Sequence, residues 1–375
     1  MTSAKKIRMG VVGGGFGASF AWHQHPNCVV EAVSDLNADQ RTRLMDHYAC
    51  DKSYESLEKL VEDPDIDAVA VFTGAPDHVK HSVTALRAGK HVVSAVPAAT
   101  TIEDCEKLRE AVEQTGLTYM MAETSYWHQS AISARKFYEE GKFGTIYYTE
   151  AEYHHAGLEA LYLGRDGSRT WRHGLPPMLY PTHCTAFLVG TTGERLTDVT
   201  CIGWGDDSPI LKDNAYANPF WNETAFFKTD RGNAFRVAVY WKGAHRGCER
   251  AQWYGTDMSF FMSHPNWGGP VIVRSGDQTE LDSGGFVRKL PKMEEYDQPK
   301  WWQTDMLPES LRSDSGHGGS HVFIVHEFID ALVNERAPAV DVYEALAYTA
   351  PGIIAHQSAL AAGEHMKIPN FDRES

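Results

Sequence analysis

No stretch of the chain approaches the ~20 consecutive apolar residues that a membrane-spanning helix needs, so no membrane partner is expected. Positive charge is in short supply. Lys and Arg number 35 against 50 Asp and Glu, a formal charge of −15 at pH 7. Such an acidic chain is a poor general binder of nucleic acid, whose phosphates need a basic face. Cysteine is sparse, with Cys28, Cys50, Cys105, Cys184, Cys201 and Cys248 scattered and no CxxC pair. Neither a disulfide framework nor a zinc ribbon is expected; reduced thiols in a cytoplasmic chain are. The first ten residues carry positive charge but no apolar core follows them, so no export signal is read. A phosphate-binding P-loop and a Gly-x-Ser-x-Gly nucleophile elbow are both missing.

What is present is an ordinary globular composition, 42% apolar and 23% charged. At roughly 100–200 residues per domain, 375 residues suggest two domains with room for a large core. In the first third, apolar runs at 7–12, 29–34, 68–72, 91–95 and 118–122 read as strands. Amphipathic segments at 38–48, 56–62, 79–88 and 102–115 read as helices between them. That alternation predicts βαβ units and a parallel sheet. After residue 124 the rhythm changes. A helix at 130–140 precedes strands at 146–153, 196–204, 224–228, 234–241, 250–254, 258–262 and 271–274. Residues 282–316 read as a long loop, and helices at 320–334 and 342–362 close the chain. The expected class is α/β. A Rossmann domain over 1–124 is followed by an α+β domain over 125–375, with a largely antiparallel open sheet that serves substrate binding and oligomerisation.

Gly13-Gly14-Gly15-Phe16-Gly17-Ala18 fits G-x-G-x-x-A between a strand and a helix. The first glycine permits a tight turn, the second lets a pyrophosphate approach, and a small third residue lets the helix pack closely. Helix-start N–H groups then face the phosphates. Asp35 ends the second strand about twenty residues on, where a carboxylate accepts a ribose 2′-hydroxyl and repels a 2′-phosphate. No arginine adjoins Leu36, so the expected cofactor is NAD rather than NADP. Thr124, just past the fifth strand, is a candidate nicotinamide contact.

Thr73-Gly-Ala-Pro76-Asp-His78 follows the third predicted strand, and Gly89-Lys-His-Val-Val-Ser-Ala95-Val96-Pro97 follows the next helix. With the glycine loop, these resemble the Gfo/Idh/MocA oxidoreductases, which act mostly on sugars and cyclitols. The resemblance spans the whole chain and implies cofactor contacts at Gly13, Gly15, Phe16, Gly17, Asp35, Thr73, Pro76, His78, Ala95 and Val96. That family usually carries Glu-Lys-Pro, whose lysine assists proton transfer; Ala95-Val96-Pro97 stands here instead. A narrower resemblance follows. Met120-Met-Ala-Glu123-Thr, Ala151-Glu-Tyr153-His, Thr170-Trp171-Arg172, Leu179-Tyr180-Pro-Thr182-His183 and Gly316-His317-Gly-Gly319 look like the NAD-dependent α-N-acetylgalactosaminidases, which also lack the lysine. The region between Tyr153 and Tyr180 is shorter here, and Ser320-His321 replaces the pattern after the glycine pair. The resemblance implies a redox-neutral glycosidase. A ring hydroxyl is oxidised by retained NAD, the adjacent C–H becomes acidic, the aglycone is eliminated, water adds and the hydride returns. It also implies a sugar site lined by Tyr153, Tyr180, Thr182, His183 and His317, and a dimer or tetramer.

The residues themselves bear on these roles. An imidazole's ordinary pKa lies near neutrality, so a histidine at position 183 suits a carbinol proton. Tyr180, three residues earlier, donates to a sugar oxygen or takes the acidified C–H proton; the bland reading is a packed His beside a satisfied Tyr. Tyr153 is substrate-facing or sheet core. Glu123 lies at the ligand-facing end of a parallel strand, where it binds hydroxyls, shuttles a proton or forms a structural salt bridge. Trp171-Arg172 covers the cofactor, binds an oxyanion or forms a structural pair. His317 reaches the cleft, or Ser320 merely caps the helix that follows. Strand alternation puts Glu150, Glu152 and His154 on one face, read as a solvated face with no metal. The partner is thus a carbohydrate or glycoside. Exchangeable NAD would make the chain a net sugar or cyclitol dehydrogenase or ketosugar reductase instead, and a non-catalytic NAD or sugar sensor is the reading from another class.

Overall fold

The computed structural model describes residues 6–155, 157–264, 268–281 and 283–373. In chain order the strands are β1 (Ile7–Val12), β2 (Cys28–Ser34), β3 (Lys52–Tyr54), β4 (Ala68–Val71), β5 (His91–Ser94), β6 (Tyr119–Met121), β7 (Ile146–His154), β8 (Leu196–Trp204), β9 (Asn222–Thr229), β10 (Ala234–Tyr240), β11 (Cys248–Gly255), β12 (Met258–Phe261), β13 (Val271–Leu281), β14 (Val287–Glu295) and β15 (Met366–Lys367). The helices are α1 (Gly14–Gly17), α2 (Ala38–Tyr48), α3 (Leu57–Leu60), α4 (His78–Arg87), α5 (Ile102–Thr115), α6 (Gln129–Glu139), α7 (Thr182–Thr192), α8 (Gly316–Val333) and α9 (Val342–Leu360). The chain divides into two compact units. One comprises residues 1–128, 300–353 and 369–375; the other comprises 129–299 and 354–368.

The first unit holds a parallel sheet in the order β3-β2-β1-β4-β5-β6. This is the doubly wound order that places ligands outside the carboxyl ends of the strands. Its strands are near-continuous apolar runs because both faces are covered: every residue of Ala68–Val71 is buried. Local chemistry sets the helix ends. The Asn37 side chain accepts from the Asp39 and Gln40 amides to start α2, and Thr101 accepts from Asp104 to start α5. Gly116, at φ 66°, ends α5 in the left-handed region. Segment 300–353 groups with this unit although the sequence boundary at 124 had placed it with the second domain. The Trp127 and Phe323 rings stack 5.4 Å apart, and the Met121 amide donates to Val340 O, ties that span some two hundred residues of sequence.

The second unit holds a nine-stranded sheet, β14-β13-β12-β11-β7-β10-β9-β8-β15, antiparallel except between β7 and β10. One face carries α7, and Trp253 Nε1 donates to Phe187 O to fasten that helix to β11. Four elements departed from expectation, the two-residue β15 among them. β14 lies inside the segment read as a loop and pairs with β13. Its apolar Val287 and Met293 are exposed, so no half-buried alternation marks it in sequence. β3 is a three-residue edge strand, too short to leave a pattern. α7 is buried almost all round, from Thr182 through Val189, and so has no amphipathic stripe. Among the described residues no helix is long and apolar enough to cross a membrane.

Candidate active site

The first unit carries the nucleotide-type loop. Gly13 sits at φ 101°, and a Cβ there would lie 2.2 Å from Phe72 O, so only glycine fits. A Cβ at Gly15 would meet nothing within 4 Å, which leaves that backbone open to an approaching group. At Gly17 a Cβ would lie 3.0 Å from Val11 Cγ1, because the short helix rests directly on β1. The Tyr48 hydroxyl secures the loop from behind, at 2.5 Å from Gly17 O and 2.8 Å from Phe20 O. Asp35 Oδ2 accepts the Gly14 amide at 2.6 Å and Oδ1 accepts the Asn37 amide at 2.8 Å. Each oxygen keeps acceptor capacity for a hydroxyl. Arg41, one helical turn into α2, donates to Asp35 O at 2.8 Å. Its guanidinium therefore stands closer to Asp35 than the neighbouring sequence indicates.

The other predicted contacts of this unit cluster at the same ends of the strands. Pro76 lies in the turn Ala75–Asp77 after β4. The Thr73 hydroxyl lies 2.9 Å from His81 Nδ1. His78 is fully buried, with Nδ1 2.7 Å from Pro97 O and Nε2 3.1 Å from Thr73 O. It ties the loop after β4 to the loop after β5, and burial lowers its pKa. Ala95 and Val96 are buried in the latter loop. Glu123 is also buried, and its Oε1 accepts the Ser125 amide at 2.8 Å. The Thr124 hydroxyl is buried with no hydrogen-bond partner among the described residues. An open glycine backbone, a carboxylate at the end of β2 and a buried unsatisfied hydroxyl after β6 fit a dinucleotide. His317 belongs to this unit, its ring centroid 6.1 Å from that of Phe16 in the glycine loop.

The second unit assembles another group of predicted residues. Tyr180 closes the turn Pro177–Leu179, Pro181 precedes α7, and His183 lies in the first turn of that helix. Tyr153, near the end of β7, has its ring centroid 4.5 Å from that of His183 and 6.2 Å from that of Tyr180, the two tyrosines nearly parallel at 15°. Trp241 meets both tyrosines edge-on at 6.0 Å. Sheet register pairs Glu249 of β11 with Tyr153, so both project from one face. Glu249 Oε1 then lies 4.0 Å from His183 Nδ1. The Thr182 hydroxyl is buried with no hydrogen-bond partner among the described residues. Below the turn, the fully buried Glu223 accepts the Met178 amide on Oε2 at 2.6 Å, with Oε1 2.8 Å from His356 Nδ1. Arg172 stacks on Trp171 at 4.0 Å, and Tyr216 donates to Trp171 O. Sequence reasoning missed Trp241, Glu249 and Glu223. Trp241 ended a predicted strand, but Glu249 and Glu223 needed the register.

On the sheet's other face, Arg236 Nη2 lies 2.7 Å from Glu150 and 2.8 Å from Glu152, so those carboxylates form an ion network. Glu152, His154 and Cys248 place one donor atom each within 4.8 Å of one another, a grouping that strand spacing alone did not reveal.

A doubly wound unit with a fitted dinucleotide loop, joined in one chain to an open-sheet unit, defines an NAD-binding Rossmann-type enzyme. Comparison with known proteins agrees. The family model described as "Oxidoreductase family, NAD-binding Rossmann fold" matches residues 7–123, and "Glycosyl hydrolase 109, C-terminal domain" matches residues 283–375. A glycosyl hydrolase family 109 protein of Solibacter usitatus is 24% identical over 85% of this chain and 74% of its own length. Another from Saccharopolyspora erythraea is 23% identical over 98% and 83%. A levoglucosan dehydrogenase in complex with NADH and levoglucosan shares the fold at TM-score 0.79 and 18% identity, covering 98% of this chain and 100% of that one. Scyllo-inositol dehydrogenase from Lactobacillus casei does so at TM-score 0.69 and 17% identity, covering 97% and 99%. The chain thus resembles the Gfo/Idh/MocA oxidoreductases over residues 7–123 and the glycosyl hydrolase family 109 proteins over residues 283–375. It is an enzyme, and its cofactor is NAD.

Proposed function

We propose that this enzyme acts at a secondary hydroxyl of a glycoside and that its net reaction is redox-neutral cleavage with NAD retained. The observation that carries the reading is the Tyr153, Tyr180 and His183 cluster, in a chain with Ala95 and Val96 where the Gfo/Idh/MocA sugar dehydrogenases usually place a lysine. When bound, NAD supplies a hydride acceptor that becomes the hydride donor again. Gly13, Gly15, Asp35 and Thr124 hold it, with Glu123 keeping the turn at Thr124 in place through the Ser125 amide. His183 takes the hydroxyl proton, and the Glu249 carboxylate 4.0 Å away stabilises the imidazolium that forms. The ring face of Tyr153, backed by the buried Trp241, suits a sugar's C–H surface, and the Tyr180 hydroxyl moves the proton of the acidified C–H. Arg172, stiffened on Trp171, suits a ligand oxygen.

The second reading is net dehydrogenation, favoured by the likeness of fold to sugar and inositol dehydrogenases. The test uses protein purified without added cofactor. One sample is denatured and its released NAD(H) is counted; another is incubated with p-nitrophenyl glycosides. Stoichiometric NAD with aglycone release and no net NADH supports the glycosidase. Empty protein that reduces added NAD⁺ with free sugars or inositols overturns it in favour of the dehydrogenase. The Tyr180→Phe and His183→Ala variants should keep NAD and lose at least about a hundredfold in turnover, the usual contribution of one acid–base group. We further propose a dimer or tetramer formed through the open face of the second unit's sheet, where Ile202, Trp204 and Phe226 are exposed. Light scattering in solution checks this.

A further inference from the structure

We propose that Glu152, His154 and Cys248, with His245 as fourth donor, form a site for a thiophilic divalent cation of the zinc type, on the face of the second unit's sheet away from Tyr153 and His183. The proposal is independent of the glycoside reading.

Sheet register builds the site. β7 and β11 run antiparallel, and His154 lies directly opposite Cys248. Glu152 is two residues before His154, so all three side chains leave the same face. They offer one donor atom each, all within 4.8 Å of one another. Tetrahedral zinc, about 2.0–2.3 Å from its ligands, needs donors about 3–4 Å apart, so small side-chain movements close the set. His154 Nε2 is buried with no hydrogen-bond partner among the described residues. Burial lowers the His154 pKa, so the ring is neutral and has a lone pair to offer. Tyr240 stacks on that ring with centroids 4.4 Å apart and fixes its plane.

His245 lies in the turn between β10 and β11. Its Nδ1 is 3.2 Å from Arg246 O, and a carbonyl only accepts. In the neutral ring Nδ1 therefore carries the hydrogen and Nε2 the lone pair. That Nε2 is also buried with no hydrogen-bond partner among the described residues. The centroids of His154 and His245 lie 5.1 Å apart. Two imidazoles on one tetrahedral zinc stand about 5 Å apart, centroid to centroid. A Cβ at Gly243, at φ 152°, would lie 2.9 Å from Cδ2 of His245, so the glycine leaves room for that ring.

Charge selects the cation. Glu150 is engaged by Arg236, Tyr148 and Gln252 and is not a ligand. Arg236 donates to Glu152 Oε1 at 2.8 Å and so orients that carboxylate. Oε2 stands 3.6 Å from Arg250 Nε, beyond hydrogen-bond range, and keeps acceptor capacity. Glu150 and Glu152 balance Arg236 and Arg250, so no surplus negative charge attracts a hard cation such as Mg²⁺ or Ca²⁺. One thiolate and two imidazoles suit zinc instead. Burial pushes the Cys248 thiol up to about 11, so the ion displaces the thiol proton to solvent as the Zn–S bond forms. Bound there, zinc ties β7 to β11 beside the Tyr153–Glu249 pair.

The experiment takes the full chain, dialysed against a chelator, and titrates it with Co²⁺, whose thiolate charge-transfer absorption reports sulfur ligation. The other five cysteines are buried, so Cys248 is the thiol within reach. The band should saturate at a single equivalent of Co²⁺ and be displaced by Zn²⁺ but not by Mg²⁺ or Ca²⁺. Cys248→Ser should abolish it. Zinc affinity should fall at least about a hundredfold in Cys248→Ser and in His154→Ala, and about tenfold in His245→Ala. No band in the wild type, or a band that persists in Cys248→Ser, overturns the proposal. Unchanged zinc affinity in His154→Ala does the same, and unchanged affinity in His245→Ala removes His245 from the ligand set. Cys248→Ser replaces one atom, so its metal-free unfolding midpoint should match the wild type; zinc should raise the midpoint of the wild type alone. An equal rise in both also overturns the proposal. These readouts need neither NAD nor turnover, so failure of the glycosidase reading leaves them intact.

Discussion

One methyl group added at Gly15 and one added at Gly13 should have opposite consequences. At Gly15 the new Cβ meets nothing within 4 Å of the protein, so Gly15→Ala should leave the apo enzyme as stable as the wild type. The same methyl occupies the space through which the pyrophosphate approaches, so NAD affinity should fall. With NAD at 100 times its Kd, binding adds about 2.7 kcal/mol to stability; a hundredfold weaker Kd reduces that to about 0.4 kcal/mol. At Gly13 the methyl would lie 2.2 Å from Phe72 O on a backbone at φ 101°. Left-handed strain of about 1–2 kcal/mol then adds to a clash with rigid backbone, for a loss of roughly 3 kcal/mol in the apo protein. The assay is denaturant or thermal unfolding of each variant stripped of cofactor, then titrated with NAD. The reasoning is refuted if Gly15→Ala destabilises the apo enzyme, or if it retains the full NAD-dependent gain.

Asp35→Asn removes the charge that repels a 2′-phosphate while keeping an acceptor for the Gly14 or Asn37 amide, so the preference for NAD over NADP should fall about tenfold, read by calorimetric titration of both cofactors. Glu223→Ala strips a buried acceptor from the Met178 amide and from His356, which should cost about 3 kcal/mol of stability and lower turnover by loosening the turn at Tyr180; Glu223→Gln should recover part of both. Acid should destabilise the fold through His25 and His321, each lowered to about 4 by burial, with His326 adding to the shift of His25 and Asp330 opposing it. The unfolded chain binds more protons than the native one between about pH 6.5 and 4, so stability falls as pH drops through that window, by about 1 kcal/mol per pH unit for each ring. Urea unfolding from pH 7 to pH 4.5 checks this. His25→Gln should flatten the slope, and an unchanged slope would count against burial as the cause.

Much of the first unit was legible because its signals are local. A strand covered on both faces is a continuous apolar run, α2 and α5 announce themselves with Asn37 and Thr101 caps, and Gly13 and Asp35 sit at spacings that nucleotide chemistry requires. Tyr153, Tyr180 and His183 were read from motifs. Glu249 was not, because nothing near it in sequence places it opposite Tyr153; only the pairing of β11 with β7 does so. α7 escaped notice because a helix buried all round has no periodic stripe, and β14 because its apolar residues face solvent.

The sequence by itself determined the alternation of strand and helix, the glycine loop and its acidic partner, the Ala95-Val96-Pro97 segment without a lysine and the candidate side chains Tyr153, Tyr180 and His183. Each of these is written within a few residues of chain, where backbone preference and hydrogen-bonding range act. The tertiary structure alone decided which distant groups share a surface. It brought His321 to Ser19 and His317 to Phe16, placed Glu249 within reach of His183, and set Glu223 beneath the turn that carries Tyr180. Sheet register and helix packing make those contacts across tens to hundreds of residues, and hydrogen bonds and charge interactions act through a few ångströms of space, whatever the separation along the chain.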